Sequence, residues 1–197
     1  MILPIVAYGD PVLKKRALTI DAAYEGLETL IESIWETMYH AHGVGLAAPQ
    51  IGKSIRLFVI DGSPFADDEE ASPADHVVLK TFKKVFINAE IISEEGDEFT
   101  FAEGCLSIPD VREEVTRPSV LRLRYQDEQF NWHEEEYSGL AARIIQHEYD
   151  HIEGVLFTDR LSPLKKRLIK GRLEKISRGQ VEADYRMKFY TAKIRRK

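Results

Sequence analysis

Two histidines and a glutamate lie close together in residues 146–151, whose sequence QHEYDH contains the pattern H-E-x-x-H. In a helix, His147 and His151 would lie about one turn apart on the same face, so both imidazoles could reach a single divalent ion. Glu148 directly follows the first histidine and could act as a base toward water at that ion. A helix with two buried, hydrogen-bonded histidines is the alternative, because so short a motif also arises by chance.

A catalytic metal site usually has three protein ligands and one open position, so the two histidines need a partner. In the metzincin class of metalloproteases the third ligand is a histidine six residues after the second, where this chain has Phe157. Glu174 is a downstream acid, but it lies in a basic segment predicted to face solvent. Cys105 lies at a predicted strand end and could present a thiolate, although a lone cysteine is more often a small buried hydrophobe.

The residues around the H-E-x-x-H motif predict a helix that begins after Ser138 and ends at Gly154. Serine is a preferred N-cap residue, and glycine commonly ends a helix in the left-handed conformation. The apolar stripe of this helix consists of Leu140, Ile144, His147 and His151. The two histidines therefore continue a buried face, where a metal ion would be shielded from water.

The elements on either side of this helix predict an α+β domain, with a helix first, strands next and two helices last. The first helix is predicted to start at Asp21, its N-cap, and to end at Gly43. Strands are predicted over residues 56–60, 84–93, 98–102, 111–116, 120–125 and 130–137, the last two paired across 127–129. A C-terminal helix is predicted to open at Ser162-Pro163, with an inner face of Leu164, Leu168, Leu173 and Ile176.

The composition is that of a globular protein, since 44% of the 197 residues are hydrophobic and no apolar run is long enough to span a membrane. We expect no secretory leader, and the single cysteine, Cys105, excludes an intrachain disulfide. These features favour a reducing, cytoplasmic setting. Residues 61–76 hold six acidic and no Lys or Arg residues and are predicted to form a solvated, mobile loop.

Charge is unevenly distributed along the chain, whose formal net charge is −6. Residues 165–197 contain thirteen Lys/Arg and three Asp/Glu, a net of +10, so the remaining 164 residues carry −16. A basic tail on an acidic body indicates a polyanionic partner for the tail. A solvated helix followed by a frayed terminus is the simpler explanation of the same charges.

Three segments together resemble the peptide deformylase family. Residues 43–50 (GVGLAAPQ), 103–107 (EGCLS) and 146–151 (QHEYDH) match the three signature motifs of that family in the same order. Residues 9–13 (GDPVL) also resemble the N-terminus of the family, and the resemblance covers most of residues 1–164. Each motif is weak alone, but three in the right order are very specific. The acidic loop and the long basic tail are less typical of the family.

The resemblance implies a single catalytic domain over residues 1–197, which includes the basic C-terminal helix and tail from about residue 162. Its fold is expected to be α+β, with antiparallel β-sheets packed around a central metal-binding helix and with N- and C-terminal helices. The implied activity is metal-dependent hydrolysis that removes the N-formyl group from the formyl-methionine of nascent polypeptides and releases formate.

The same resemblance implies roles for individual residues. Cys105, His147 and His151 would bind one divalent ion, Fe(II) in the cell, with Zn(II), Ni(II) or Co(II) as possible substitutes. Hydroxide formed at the ion would attack the formyl carbonyl, and Glu148 would act as general base and then as general acid. The Gln50 side chain and the Leu106 backbone N–H would donate to the developing oxyanion.

The resemblance also implies how substrate binds. The peptide backbone would lie along Val44-Gly45 and Gly104 as an added strand. Arg112 matches a position near the downstream end of the peptide. We further expect Asp150 to pair with Arg117 and to steady the metal-binding helix. The methionine side chain would enter a pocket formed by Val44, Phe101, Leu140, Ile144 and the apolar face of His147.

Two other functions fit parts of the sequence: a zinc endopeptidase of the H-E-x-x-H type, and a non-enzymatic, metal-containing RNA-binding protein. Formyl-methionyl nascent peptides are the expected partners, with ribosomal RNA as a partner of the basic segment; we expect neither membrane nor DNA binding. Removal of the segment from Lys165 onward is expected to leave turnover of a short formyl peptide nearly unchanged, because no expected catalytic residue lies beyond His151.

Overall fold

The computed structural model describes residues 1–67 and 72–190. This part of the chain contains the helices α1 (Leu27–His40), α2 (Pro73–Leu79), α3 (Gly139–Glu153) and α4 (Pro163–Ser177). Its strands are β1 (Ile5–Val6), β2 (Gly45–Ala47), β3 (Leu57–Asp61), β4 (Lys83–Cys105), β5 (Ile108–Gln126), β6 (Trp132–Ser138) and β7 (Met187–Lys188). The predicted α+β class is confirmed. Among the described helices, none combines the length and the apolar character needed to cross a bilayer.

Strands β2 to β6 form one antiparallel sheet in the order β2-β3-β4-β5-β6, and β1 pairs in parallel with β7 in a separate sheet. Strands β4 and β5 each join two predicted strands, because their pairing continues through several register shifts from Gln126 to the turn after Cys105. Such bulges bend a β-ladder without ending it. The predicted pairing of the last two strands is confirmed, with Gln126 opposite Trp132.

Helix α1 begins at Leu27, so the predicted start at Asp21 was wrong. The Asp21 carboxylate accepts a hydrogen bond from the Ala23 N–H at 2.9 Å, and Gly26 precedes the helix with a φ of 73°. An aspartate that bonds its own local backbone in this way favours a turn over a helix. The buried face of α1 includes Ile31, Ile34 and Met38.

Helix α2 begins within the region that the sequence predicts as a loop over residues 61–76 and ends beyond it, so the loop prediction was wrong for residues 73–76. Ser72 and Asp75 form a reciprocal capping box at its start. Asp75 also accepts a hydrogen bond from the Leu140 N–H at 2.8 Å, and it thereby caps the first turn of α3. Ser138 is the N-cap residue of α3 as predicted, but its own side chain makes no capping bond. Residues 68–71 of the predicted mobile loop lie outside the described residues.

Helix α3, which carries the H-E-x-x-H motif, lies in the core against β2, β3, β5 and β6. It ends at Gly154, as predicted, where φ is 75°. A Cβ atom at this position would lie 2.7 Å from the backbone carbon of Lys14, so both conformation and packing require glycine here. The N-terminal segment is therefore packed directly against the end of the metal-binding helix.

Helix α4 begins where the sequence predicts, because the Ser162 hydroxyl accepts a hydrogen bond from the Lys165 N–H. Its buried side chains are Ile169, Leu173 and Ile176. The predicted inner positions of Leu164 and Leu168 were wrong, since these side chains are 65% and 73% exposed. They lie on the opposite face of α4 from the buried stripe.

A buried ion cluster ties α3 to the long β4–β5 hairpin. Arg117 of β5 is 1% exposed, and its guanidinium donates to Glu103 of β4 at 2.7 and 2.8 Å and to Asp150 of α3 at 2.8 Å. Asp150 also accepts from Arg160 at 2.6 Å. The predicted Asp150–Arg117 pair is confirmed, and it is buried rather than on the surface. Removing one member of such a cluster leaves uncompensated charge in the interior.

We expect Arg117→Ala to lower the free energy of unfolding by about 3–5 kcal/mol, because the buried carboxylates of Glu103 and Asp150 would each lose the arginine that joins them. Urea denaturation of proteins with equal metal content measures this. Arg122→Ala is the matched control on the same strand, since the Arg122–Glu134 pair is largely exposed and should contribute less than about 1 kcal/mol. Equal losses for the two variants would contradict a special role for the buried cluster.

Candidate active site

Helix α3 and the end of β4 bring three metal-binding side chains together. Cys105, His147 and His151 each offer one ligand atom, and these atoms all lie within 4.8 Å of one another. The Cys105 Sγ atom lies 3.3 Å from the His151 Nε2 atom. One thiolate and two imidazoles form a donor set that suits a first-row transition metal, so the residues fit the expected ion.

The surroundings of the two histidines differ. Burial by itself would lower the pKa of His147, but hydrogen bonds with Cys105 and Glu103 raise that pKa well above its ordinary value, so this ring must release a proton when it binds a metal. Glu103 Oε2 lies 2.9 Å from His147 Nδ1, which leaves the Nε2 atom of His147 for the cluster. Burial by itself would raise the pKa of Glu103, but hydrogen bonds from Arg117 and His147 hold that pKa well below its ordinary value. Burial lowers the pKa of His151 well below its ordinary value, which keeps this ring in the neutral form that binds metals.

Glu148 is a second buried carboxylate in the site, and its surroundings differ from those of Glu103. Its Oε2 atom is buried and has no hydrogen-bond partner within the described residues. Burial raises the pKa of Glu148 to about 7; the charge of His147 acts in the opposite direction, and that of Glu103 adds to the rise. A carboxylate with a pKa near neutrality can both accept and return a proton.

Gly45 of β2 makes room for Glu148. A Cβ atom at this position would lie 2.7 Å from both the Cγ and Cδ atoms of Glu148, closer than real side chains approach one another. The sequence predicted Gly45 only as a place where the substrate backbone comes close. The structure adds a second reason for glycine here, because any side chain would displace the carboxylate.

Two candidate hydrogen-bond donors lie beside the cluster. The Gln50 Oε1 atom accepts from the Ala47 N–H at 2.9 Å, which orients the amide so that Nε2 lies 3.5 Å from Cys105 Sγ. Leu106 and Ser107 form the turn between β4 and β5, where Cys105 pairs with Ile108. Within the described chain the Leu106 N–H has no protein acceptor. Both donors are therefore placed where they could contact a substrate oxygen.

The cluster opens into a cavity of about 540 Å³. Most of the predicted substrate-binding residues line it, namely Val44, Gly45, Phe101, Gly104, Arg112 and Ile144. Leu140, at the start of α3, does not; it is 3% exposed and belongs to the hydrophobic core. The cavity lining is therefore polar at Arg112 and apolar at Phe101 and Ile144.

Two parts of the site were not predicted from the sequence: Glu103 and a segment after α4. Glu103 lies within a recognised motif, but its contact with His147 is formed across 44 residues and has no local signal. The cavity is also lined by four residues that the sequence placed in the basic C-terminal tail: Glu182, Ala183, Asp184 and Tyr185. Their signal was the alternation of apolar and charged residues over residues 181–188, which is typical of a half-buried extended segment.

Known proteins similar to this chain share one family name. The family model for polypeptide deformylase matches residues 2–167. The chain is 61% identical to a peptide deformylase of Christiangramia forsetii over 193 residues, 98% of each chain. It is 56% identical to one of Flavobacterium psychrophilum, with 98% of this chain and 100% of that protein covered.

Solved structures give the same result. The crystal structure of a peptide deformylase from Legionella pneumophila superposes with a TM-score of 0.75 and 39% identity, covering 91% of this chain and 98% of that one. The enzyme from Thermotoga maritima superposes with a TM-score of 0.71 and 40% identity, covering 83% and 99%. On its sequence, its fold and its Cys-His-His cluster, the chain belongs to the peptide deformylase family.

Proposed function

We propose that Cys105, His147 and His151 hold the divalent ion, and that Glu148 moves the protons, when this hydrolase removes the formyl group from N-terminal formyl-methionine. The observation that carries the proposal is the position of an unpartnered buried carboxylate beside three converging metal ligands. When bound, the ion supplies Lewis-acid chemistry that activates water near neutral pH. The zinc endopeptidase and the RNA-binding protein are not supported, since the relatives are peptide deformylases over nearly the whole chain.

Glu148 would work in both halves of the reaction. Its ionised form takes a proton from the attacking water, and its protonated form then delivers that proton to the leaving amine. A pKa raised by burial to about 7 makes both forms accessible near neutral pH. The Gln50 amide and the Leu106 N–H would donate to the oxygen of the formyl group as negative charge develops on it.

Substrate would bind along the free edge of the sheet. Strand β2 is an edge strand that pairs only with β3 in the five-stranded sheet, so its other side can accept an extended peptide. Val44 and Gly45 lie at this edge, and Gly104 lines the same cavity. Phe101 and Ile144, with Val44, would contact the methionine side chain; Arg112 would lie toward the downstream end of the peptide.

The metal proposed for the cell is Fe(II), and Zn(II), Ni(II) or Co(II) could occupy the same ligands. Intrinsic affinity does not favour iron over zinc, so metal supply in the cell would decide occupancy. We place the enzyme in the cytoplasm, where a reducing environment keeps Cys105 as a free thiol. We also propose that residues 1–197 act as one catalytic domain, because the segment after α4 contributes to the cavity.

The outer face of α4 is the proposed contact with ribosomal RNA. Leu164 and Leu168 are exposed there, and Arg167, Lys175 and Arg178 project from the same side. Exposed leucines beside basic residues would give this surface both apolar contacts and attraction to phosphate. Of the other basic residues on α4, Lys166 already donates to the Asp159 carbonyl at 2.7 Å, so it is less available.

Formate release tests the activity and the role of Glu148 together. Protein purified without oxygen should release formate from a formyl-Met peptide, leave acetyl-Met peptides intact and cut no internal peptide bond. Glu148→Ala should keep its metal but lose at least about 10²-fold in turnover, because it lacks the proton carrier. Metal analysis that finds the variant empty would contradict this role.

Gly45→Ala tests the space left for Glu148. Turnover of the formyl peptide should fall by about 10²-fold with the metal retained, because the added methyl group overlaps the carboxylate that moves the protons. Gly171→Ala is the control: this glycine has open space around it in α4, and alanine there should stabilise the helix by up to about 1 kcal/mol. Wild-type turnover by Gly45→Ala would show that Glu148 can move aside without cost.

Exposure to air tests the metal assignment. The Fe(II) form should lose activity in air, because a thiolate beside Fe(II) is open to oxidation. The same protein loaded with Zn(II) or Ni(II) should keep its activity over the same period. An Fe(II) enzyme that is equally durable with and without oxygen would contradict the prediction.

Point substitutions test the ribosome contact better than truncation. Removing the segment from Lys165 onward, or only the residues after Ser177, would also remove Glu182–Tyr185 from the cavity lining. The expectation that such a truncated chain keeps normal turnover therefore no longer follows. The triple variant Arg167→Glu, Lys175→Glu and Arg178→Glu should lose about tenfold or more in ribosome co-sedimentation at low salt, with formyl-peptide turnover unchanged.

A triple variant of exposed lysines outside α4, Lys15→Glu, Lys53→Glu and Lys80→Glu, controls for the change in net charge. Co-sedimentation of the unmodified chain should also weaken steeply as salt rises. If both triple variants behave alike, or if the unmodified chain does not bind at low salt, α4 is not the contact surface.

A further inference from the structure

The segment after α4 returns to the body of the protein as an extended strap, residues 181–189. Its side chains alternate: Val181, Ala183, Tyr185, Met187 and Phe189 are half-buried, and the residues between them are exposed. Val181, Met187 and Phe189 pack against the core cluster of α4 and β5. Tyr185 packs against a different cluster, which includes Leu106 and the buried face of α1. The strap therefore bridges two parts of the core.

The N-terminal strand holds both the strap and the turn that contains Leu106. The Ile5 and Ala7 N–H groups donate to the carbonyls of Arg186 and Lys188 at 2.8 and 2.9 Å. One residue further on, the Tyr8 N–H donates to the Ser107 carbonyl at 2.8 Å. Strap and turn are thus fixed against the same short stretch of backbone, so their relative position is well determined.

Tyr185 makes a direct contact with that turn. Its hydroxyl donates to the Leu106 carbonyl at 2.8 Å, and both residues line the cavity. Burial raises the pKa of Tyr185 above its ordinary value, so the hydroxyl remains a donor. The turn has only two residues between Cys105 and Ile108. The Ser107 carbonyl accepts from the Tyr8 N–H and the Leu106 carbonyl accepts from the Tyr185 hydroxyl, so both carbonyls of the turn are held.

We infer that Tyr185 is a positioning residue for catalysis: by holding the Leu106 carbonyl, it fixes the direction of the Leu106 N–H toward the formyl oxygen. The inference rests on the role proposed above for that N–H. A donor to a developing oxyanion must be aligned before the reaction, because reorienting it during the reaction costs rate. The N–H and the carbonyl of Leu106 belong to the two peptide planes that meet at its Cα atom, and the turn is closed by the pairing of Cys105 with Ile108. Anchoring the carbonyl in this closed turn therefore limits the φ and ψ rotations that would redirect the N–H.

Tyr185→Phe tests the inference because it removes only the hydroxyl. With the metal-loaded full chain, kcat for a formyl-Met peptide should fall by about tenfold while KM stays within about twofold, since the N–H acts in the transition state. Metal content should not change. Tyr190→Phe is the control, an exposed tyrosine close to the strap. An unchanged kcat in Tyr185→Phe overturns the inference.

A thioformyl-Met peptide separates positioning from a structural role. Sulfur accepts hydrogen bonds weakly, so a variant with a misaligned donor should lose less rate on the thioformyl peptide than on the formyl peptide. The ratio of kcat for the formyl peptide to kcat for the thioformyl peptide should therefore fall in Tyr185→Phe. In Glu182→Gln, which alters the cavity wall alone, the ratio should stay constant even if KM changes. A kcat loss in Tyr185→Phe with an unchanged ratio would mean a structural role and overturn the inference.

Gln50→Leu distinguishes failure of this inference from failure of the proposed oxyanion site. If the ratio falls in Gln50→Leu but not in Tyr185→Phe, the oxyanion site stands and Tyr185 has no part in it. If neither variant changes the ratio, the proposed oxyanion donors are wrong, and the inference about Tyr185 fails with them.

Discussion

The buried carboxylate of Glu103 is the interaction on which the site depends. Its Oε1 atom accepts from Arg117 at 2.7 Å and Arg143 at 2.9 Å, and its Oε2 atom accepts from Arg117 at 2.8 Å and contacts His147 Nδ1 at 2.9 Å. A charge inside a protein is tolerated only when it is paired and hydrogen-bonded. Because these partners come from β5 and α3, the carboxylate fixes one metal-binding histidine relative to Cys105, two residues further along β4.

Two buried carboxylates in one site have opposite properties because their neighbours differ. Hydrogen bonds from Arg117 and His147 hold the pKa of Glu103 well below its ordinary value. Glu148 has no partner for its Oε2 atom among the described residues, and burial raises its pKa to about 7. One carboxylate orients a ligand and stays charged; the other is able to exchange a proton. Environment alone separates such roles between chemically similar groups. Gly45 contributes by having no side chain, which leaves the space that Glu148 occupies.

The sequence alone determined those features that depend on local spacing and on residue type. Two histidines four apart must share a helix face, and Gly154 ends that helix because a left-handed residue was needed there. The α+β class, the hairpin between the last two long strands and the start of α4 at Ser162-Pro163 also follow from short patterns. The resemblance to the family implied Cys105, His147 and His151 as ligands, and the structure brings Cys105 to the histidines across more than 40 residues.

Only the tertiary structure decided which groups meet across long stretches of chain. Asp75 caps α3 from 65 residues away, Glu103 reaches His147 across 44, and Tyr185 reaches Leu106 across 79. The inner face of α4 was mispredicted because more than one face of this helix carries regularly spaced apolar residues. Packing against the rest of the protein selects the face that is buried. Local sequence sets the conformations that each segment prefers, but burial of charge and the closure of a cavity are properties of the assembled fold.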